Sequence, residues 1–325
     1  MRQPADGRDD LTRRIAGLTG AEVTGLRSAG AQHGWQHFMV TLADGREAFA
    51  KVSAQDRRAA FEAEARGLGW LAAAGAVPLP DVLGWDGHAL VMARVPAGSA
   101  TPAAARRFGR ELAGMHGAGT GDFGAPGAGA PGAGVPGAGA PGAGGPCFGA
   151  PWPGFIAGLP LDNRPWPASR GWAGWYAERR LLPFLRRASD AGTLGSRDVR
   201  LVEQVAARIT GIGGPPEPPS RIHGDCWSGN VLWAASDDDT DGRGWLIDPA
   251  AHGGHRETDL AMLALFGAPH LDRIIDGYTE VAPLAAGWRD RVPLHQLHPL
   301  LVHVCLFGAG YRDQAMAAAR AALSR

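Results

Sequence analysis

The chain has 325 residues, and its 32 Lys plus Arg balance 32 Asp plus Glu to give a formal net charge of zero at pH 7. That balance leaves no electrostatic footprint for nucleic acid or an anionic membrane, and the length suits one large domain or two lobes. The N-terminal MRQPADGRDDLTRR lacks the apolar core of a signal peptide and no run approaches the roughly 18 apolar residues of a membrane span, so the expectation is a cytoplasmic protein with a small-molecule or transient protein partner. Cys147, Cys226 and Cys305 are scattered without metal-ligand spacing, as expected of reduced thiols.

Two hairpin signals come early. QHFMVTL and EAFAKV flank a turn at Asp44-Gly45, and VLGW and HALVMARV flank Asp86-Gly87. Residues 28–38 (SAGAQHGWQHF) read as the loop between the first two strands. Alternation along EAFAKV puts Phe49 and Lys51 on one side and Ala48, Ala50 and Val52 on the other. Residues 56–74 predict a helix, because Phe61, Leu68 and Leu71 recur on one face. From Thr101 the pattern turns helical. Thr101-Pro102 is a good N-cap and first-turn pair, and Phe108, Leu112 and Met115 stripe a helix ending near Gly117. Further helices are predicted over 172–188, 199–209, 258–266 and 294–307. The chain divides near Pro96 into a small β-rich lobe, residues 1–95, and a larger helical lobe, residues 96–325.

Much of the count of 49 glycines sits in residues 124–146, a five-residue Gly/Pro/Ala repeat that cannot bury a core and reads as a disordered insertion. Gly does not recur strictly every third residue, which excludes collagen. The formal G-x-G-x-x-G match from Gly127 follows no strand and opens no helix, so it fails as a dinucleotide motif. DFGAP before the repeat and CFGAP after it point to expansion of an existing loop with ordered flanks.

The segment RIHGDCWSGNVLW carries the chemistry. His223-Gly-Asp225 followed by Asn230 has the H-x-D-x-x-x-x-N spacing of a phosphotransfer loop, in which Asp accepts the proton of the attacking hydroxyl and Asn holds Mg²⁺ over the phosphates of ATP. A strand over residues 231–233, a polar turn and the strand WLI return the chain to Asp248, which then stands beside Asn230 as a second metal ligand. A phosphotransferase also needs a phosphate-neutralising lysine. Lys51 is suggestive because the small lobe is otherwise lysine-free and the chain uses Arg almost to exclusion. Of its two candidate partners, Glu64 falls within the apolar stripe of the 56–74 helix and Glu62 outside it, so Glu64 is paired with Lys51. LVMARVP forms the hinge, where backbone at Ala93 and Val95 is placed to hydrogen-bond adenine. The acidic run 237–241 lacks a Ca²⁺-loop pattern and reads as a solvated hairpin tip. His252 and His255 in HGGH have no helix to align them as metal ligands and take a structural or substrate-side reading. Ser228 sits in no nucleophile elbow.

HGDCWSGN, DPAAHGGHRETDLAM and LFGA together resemble the fructosamine kinase (ketosamine 3-kinase) family, relatives of the aminoglycoside phosphotransferases. The likeness includes TLADGREAFAKVS, FEAEARGL, FGAPWPGFIAGLPLDN and WYAERRL. It implies an α+β, protein-kinase-like two-lobed fold and ATP- and Mg²⁺-dependent phosphorylation of the sugar 3-hydroxyl of ketosamines, free or as glycated protein lysines, with deglycation as the consequence. By position the base falls on Asp225, the metal ligands on Asn230 and Asp248, and the nucleotide-side pair on Lys51 and Glu64. Trp227 is then placed to stack on the sugar, while His223 and Asp259 support the loop. Cys226 stands where the family usually has Leu, Ala93 leaves the hinge without the common Glu, and AGAQHGW replaces a Gly-Gly-rich loop. Two rivals stay open. A kinase for aminoglycosides or other small-molecule hydroxyls is disfavoured by the aromatic and basic segments WAGWYAERRLLPFLRR and HGGHRE, read as acceptor-lining. A nucleotide-binding pseudokinase would lack one of Lys51, Asp225, Asn230 and Asp248, and all four are present.

Overall fold

The computed structural model describes residues 5–32, 34–120, 145–236 and 239–324. A helix, α1 (Ala5–Thr19), leads into β1 (Val23–Gln32), β2 (Trp35–Leu42) and β3 (Glu47–Val52). After α2 (Arg58–Ala72), β4 (Val82–Trp85) and β5 (Ala89–Ala93) complete an antiparallel sheet of order β1-β2-β3-β5-β4. Both anticipated hairpins are present, with Thr41 opposite Glu47 and Trp85 opposite Leu90. In the second, the Asp86 carboxylate accepts from the backbone N–H groups of His88 (2.7 Å) and Ala89 (2.9 Å), a side-chain turn typical of Asp.

Strand alternation dresses the two faces of the sheet differently. Phe38, Val40, Leu42, Ala48, Ala50 and Val91 pack under Leu11 and Ile15 of α1. On the other face Leu90 and Met92 meet Phe61 of α2, and Lys51 shares that side. The sequence reading overlooked α1. It also made residues 28–38 a loop, whereas the β1–β2 ladder continues through Ser28–Phe38 to Gln32–Trp35, leaving a tight turn. The reason is that ladder hydrogen bonds at a sheet edge need no apolar side chains, so composition hides them.

α3 (Pro102–Gly117) begins as anticipated, with the Thr101 hydroxyl accepting from the Ala104 N–H at 3.1 Å. Residues 121–144, which contain most of the repeat, lie outside the described residues. On the far flank β6 (Cys147–Phe148) pairs with β9 (Trp166–Pro167), and β7 (Gly154–Ile156) with β8 (Leu159–Leu161). α4 (Trp172–Tyr176) runs through a π-turn at Ala177–Leu181 into α5 (Leu182–Asp190). α6 (Ser196–Ile212), β10 (Ser220–Ile222), β11 (Val231–Ser236), β12 (Asp239–Leu246) and β13 (His252–Gly254) follow, then α7 (Glu257–Leu265), α8 (Leu271–Val281), α9 (Trp288–Phe307) and α10 (Arg312–Leu323). β11 and β12 form the anticipated hairpin, though Asp237 and Asp238 of the acidic run fall outside the described residues.

α8 and α10 were not read from the sequence. α8 meets α3 through glycines: a Cβ on Gly109 would sit 2.0 Å from the Ile274 carbonyl oxygen, and one on Gly277 1.9 Å from that of Arg106. α9 starts earlier than anticipated, tolerating Pro293 and Pro299. Residues 288–323 contain an 18-residue window of mean hydropathy 1.2, which the sequence reading passed over. Half of that window is buried, and Leu294, Leu297, Leu300, Leu301 and Val304 pack against Tyr176, Phe184 and Val205, so the run serves as a core helix.

That core also holds imidazoles. His252, His255, His295 and His298 are each at most 4% exposed, and Trp172 stacks on His295 with centroids 4.8 Å apart. Burial holds all four below the ordinary histidine value. The unfolded chain takes up these protons below about pH 6.5 and the native protein does not, so each imidazole removes about 1.4 kcal/mol of stability per pH unit on acidification. Asp225 and Glu64, lifted to about 7 by burial, pull the other way. The melting temperature is therefore expected to fall between pH 7 and pH 5. A flat or rising profile by scanning calorimetry would contradict the neutral buried histidines.

Candidate active site

The loop from β10 to β11 carries His223-Gly-Asp225. Gly224 has φ +81°, and a Cβ there would lie 2.4 Å from the Ala250 carbonyl oxygen, so both conformation and space demand glycine. Asp259, fully buried in the first turn of α7, accepts from the backbone N–H groups of His223 (2.7 Å, Oδ2) and Gly224 (2.9 Å, Oδ1). His116 Nε2 lies 3.1 Å from the same carboxylate, and His116 Nδ1 lies 2.8 Å from the Tyr278 hydroxyl. Burial alone would raise the Asp259 pKa, but the His116 contact and the Gly224 N–H bring it net below the usual value. The His223 ring reaches the Ile247 carbonyl oxygen at 2.8 Å, fixing the end of β12 against the loop.

Asp225 emerges half-buried from this brace. Burial, and then the charge of Asp248, lift its carboxyl to about 7, opposed by the side-chain amide of Asn230. Asn230 Nδ2 donates to the Asp225 carbonyl oxygen (2.9 Å) and carboxylate (3.1 Å). The Ile247 N–H donates to the Asn230 carbonyl oxygen at 3.1 Å, so the hairpin delivers Asp248 beside Asn230. Asp248 has φ +54°, a strained conformation for a residue with a Cβ. Its carboxylate bonds to Lys51 Nζ, which also donates to Glu64 Oε1 at 2.7 Å. Burial alone would depress the Lys51 pKa, but Glu64 and Asp248 together carry it above the ordinary value, so the ammonium stays charged. Glu62 bonds to Arg66 at 2.8 Å, away from Lys51.

These groups line one cavity of about 340 Å³. Trp35, His37 and Phe49 face it from the sheet, and Trp152 to Gly158 with Asn163 close the opposite side. The Trp227 indole lies over Gly229, where a Cβ would come within 2.2 Å of the ring, and meets Phe266 edge-on at 6.0 Å.

Other expected site residues lie elsewhere. Ala93 and Val95 do not line the cavity, and the Ala93 N–H is bonded to the Asp81 carbonyl oxygen at 2.8 Å. The aromatic rings and imidazoles of the segments read as acceptor-lining are core: Trp172, Trp175, Tyr176, His252 and His255, with Arg180, are all at most 6% exposed, and none lines the cavity. Large aromatic side chains were better spent inside the helical layer than on a surface. His255, Glu257 and His295 lie close enough to suggest a metal cluster. However, both Glu257 oxygens are taken by Arg291, at 2.8 and 2.6 Å, so the carboxylate already has its cation. The wall from Trp152 to Asn163 is legible in the sequence only through the family resemblance, because a Pro/Gly-rich stretch with short apolar runs offers no periodicity to mark it as a site.

A sequence profile of the fructosamine kinases matches residues 14–129 and 147–325. The chain belongs to the fructosamine kinase family. It is 31% identical over 284 residues to a probable ketoamine kinase of Synechocystis sp., covering 84% of this chain and 82% of that one. Alignments to other ketoamine kinase relatives are shorter, spanning 32% of an Enterococcus faecium protein and 51% of a Klebsiella aerogenes one. The crystal structure of a putative fructosamine-3-kinase from Thermobifida fusca is 49% identical, with a TM-score of 0.84 over 98% of this chain and 99% of that one. An aminoglycoside phosphotransferase solved with AMP-PNP and hygromycin B is 14% identical with a TM-score of 0.59 over 97% of this chain and 100% of that one, which shows the shared protein-kinase-like fold.

Within this fructosamine kinase family member, Asp259 is the support on which the loop's backbone rests. Asp259→Ala leaves two N–H groups unpaired in the interior, at about 1–3 kcal/mol each. The melting temperature is expected to drop by several degrees. An unchanged thermal transition would show that the loop is held by other contacts.

Proposed function

We propose that the chain is an ATP-dependent ketosamine kinase, transferring the γ-phosphoryl group to the sugar 3-hydroxyl of fructosamine, ribulosamine or erythrulosamine adducts. The observation that carries this reading is the convergence of Lys51, Glu64 and Asp248 with Asp225, Asn230 and Trp227 in one cavity. Residues 1–95 form the nucleotide side and 96–325 the acceptor side. Asp225 accepts the proton of the attacking hydroxyl, held for this by Asn230 and by the braced loop behind it. Lys51, kept charged by its two carboxylates, neutralises the phosphates.

The residues present also fit Mg²⁺. Asn230 spends its Nδ2 on Asp225, which turns its Oδ1 to the other side, and the Asp248 side chain is 40% exposed. An amide oxygen and a carboxylate are the hard donors this ion prefers. When bound, it offsets the charge that develops on the transferring group. Trp227, on the same loop as Asp225, covers one face of the sugar. Phosphorylation at the 3-hydroxyl destabilises the adduct and frees the amine, so the outcome is deglycation of metabolites or protein lysines in the cytoplasm.

Asp225→Asn is expected to lower kcat by about a hundredfold or more, with ATP affinity within a few fold, because general-base catalysis acts at the transition state. Normal turnover in that variant would remove Asp225 from the role. The acceptor is tested by coupled ATPase assays with ribulosamine, fructosamine, erythrulosamine and kanamycin-type substrates. Turnover of an aminoglycoside and of no ketosamine would overturn the substrate assignment. Trp227→Ala is expected to cut kcat/KM for a ketosamine by about ten- to a hundredfold while leaving background ATP hydrolysis unchanged. Equal loss of both activities would make the indole a packing residue.

A further inference from the structure

The cavity wall built by the β7–β8 hairpin has one polar side chain that the phosphotransfer groups do not explain. Asn163 follows β8, lines the cavity and is 3% exposed. Its Oδ1 accepts a 2.6 Å hydrogen bond from Nη2 of Arg180. A guanidinium only donates, so this contact fixes which end of the amide is which and turns Nδ2 away from Arg180. Nδ2 is buried and has no hydrogen-bond partner among the described residues. An unpaired buried donor costs about 1–3 kcal/mol, and native structures keep few of them without reason. The amide packs on Gly154 of β7, also in the cavity lining: a Cβ there would stand 2.5 Å from Nδ2, 2.7 Å from Cγ and 2.9 Å from Oδ1, so the missing side chain is what lets the amide sit at this wall.

The orienting arginine is itself unusual. Arg180 is 1% exposed, and its Nη1 donates to the backbone carbonyl oxygens of Asp162 (3.0 Å) and Arg179 (3.2 Å). Its guanidinium sits 4.3 Å from the Trp175 ring centroid and forms no carboxylate ion pair among the described residues. Burying a cation this way is costly. It projects from the π-turn at Ala177–Leu181, an irregularity that single-turn insertions in helices often place at functional sites.

We propose that Asn163, oriented by Arg180, determines acceptor specificity by donating Nδ2–H to an oxygen of the sugar chain and so selecting which hydroxyl meets Asp225. This rests on the kinase reading and deepens it. The wall requires an occupant that presents a hydrogen-bond acceptor, as a polyhydroxylated chain does. It turns away an ammonium, because an amide donor backed by a guanidinium repels one. The sugar end of a ketosamine therefore lies against β7–β8 and its amine end points elsewhere.

Asn163→Asp separates this role from a structural one. The carboxylate still accepts from Arg180, so the melting temperature is not lowered, but the donor is gone. The KM for a ketosamine is expected to rise about tenfold or more with the KM for ATP unchanged, as a site built to hydrogen-bond a hydroxyl responds to losing that bond. Gly154→Ala, whose Cβ must push the Asn163 amide out of place while leaving its chemistry intact, is expected to raise the same KM with the KM for ATP unchanged, and it decides the matter if the first variant does not fold. Wild-type turnover with an unchanged ketosamine KM in a folded variant overturns this inference and leaves the kinase reading standing. A wild-type protein that phosphorylates no ketosamine overturns both.

Discussion

Lys51 is the only lysine in the chain, although lysine and arginine together number 32. The geometry around it explains why arginine does not serve. One compact ammonium on β3 meets Glu64 from α2 and Asp248 from beyond β12, approaching from two directions. A planar guanidinium suits one carboxylate gripped by a parallel fork and fits this three-way arrangement poorly. The cluster does not exist for stability, since taking the Lys51 ammonium and the Glu64 carboxylate largely out of water costs several kcal/mol per ion. What it provides is position: it ties the sheet to the β11–β12 hairpin and sets Asp248, in a left-handed conformation, beside Asn230.

Two aspartates near this junction show how environment divides one side-chain type between tasks. Asp259 is more deeply buried than Asp225, yet it is the more acidic, because two backbone N–H groups and His116 satisfy it. Asp225 has Asn230 as its side-chain donor and Asp248 as a neighbouring charge, so burial wins and its carboxyl rises to about 7. A satisfied carboxylate is a strut, and an under-satisfied one at a cavity wall is available to take a proton. Gly224 links them, since its own N–H and that of His223 point toward Asp259 while Asp225, just past the left-handed turn, faces the cavity.

What could be read from the sequence follows from what each element depends on. The hairpins at Asp44-Gly45 and Asp86-Gly87 are local, and so is the Thr101 cap. The choice of Glu64 over Glu62 needed only helical geometry. α1 escaped because its inward face rests on little more than Leu11 and Ile15, and the segment had been weighed only as a signal peptide. α8 escaped because Gly277 reads as a helix weakness, whereas its purpose is contact with the backbone of α3. α10 buries Ala315, Ala318, Ala319 and Ala322, small residues that make no conspicuous stripe. Each of these depends on a partner distant in sequence.

The same limit bears on acceptor choice. WAGWYAERRLLPFLRR and HGGHRE disfavour an aminoglycoside only if they line the site, and their tryptophans, Tyr176 and histidines are core. The conclusion now rests on other residues. A polycationic antibiotic needs carboxylates on the acceptor side, and among the described residues the carboxylates lining the cavity are Glu64, Asp225 and Asp248, each already engaged by Lys51 or Asn230. The opposite wall, from Trp152 to Gly158, offers apolar side chains and backbone, with Asn163 as its polar group. On the reading proposed above, such a wall discriminates by shape and by a hydrogen bond rather than by charge, because a pocket that must find the oxygen pattern of a neutral sugar chain is better served by one oriented amide than by a ring of acids.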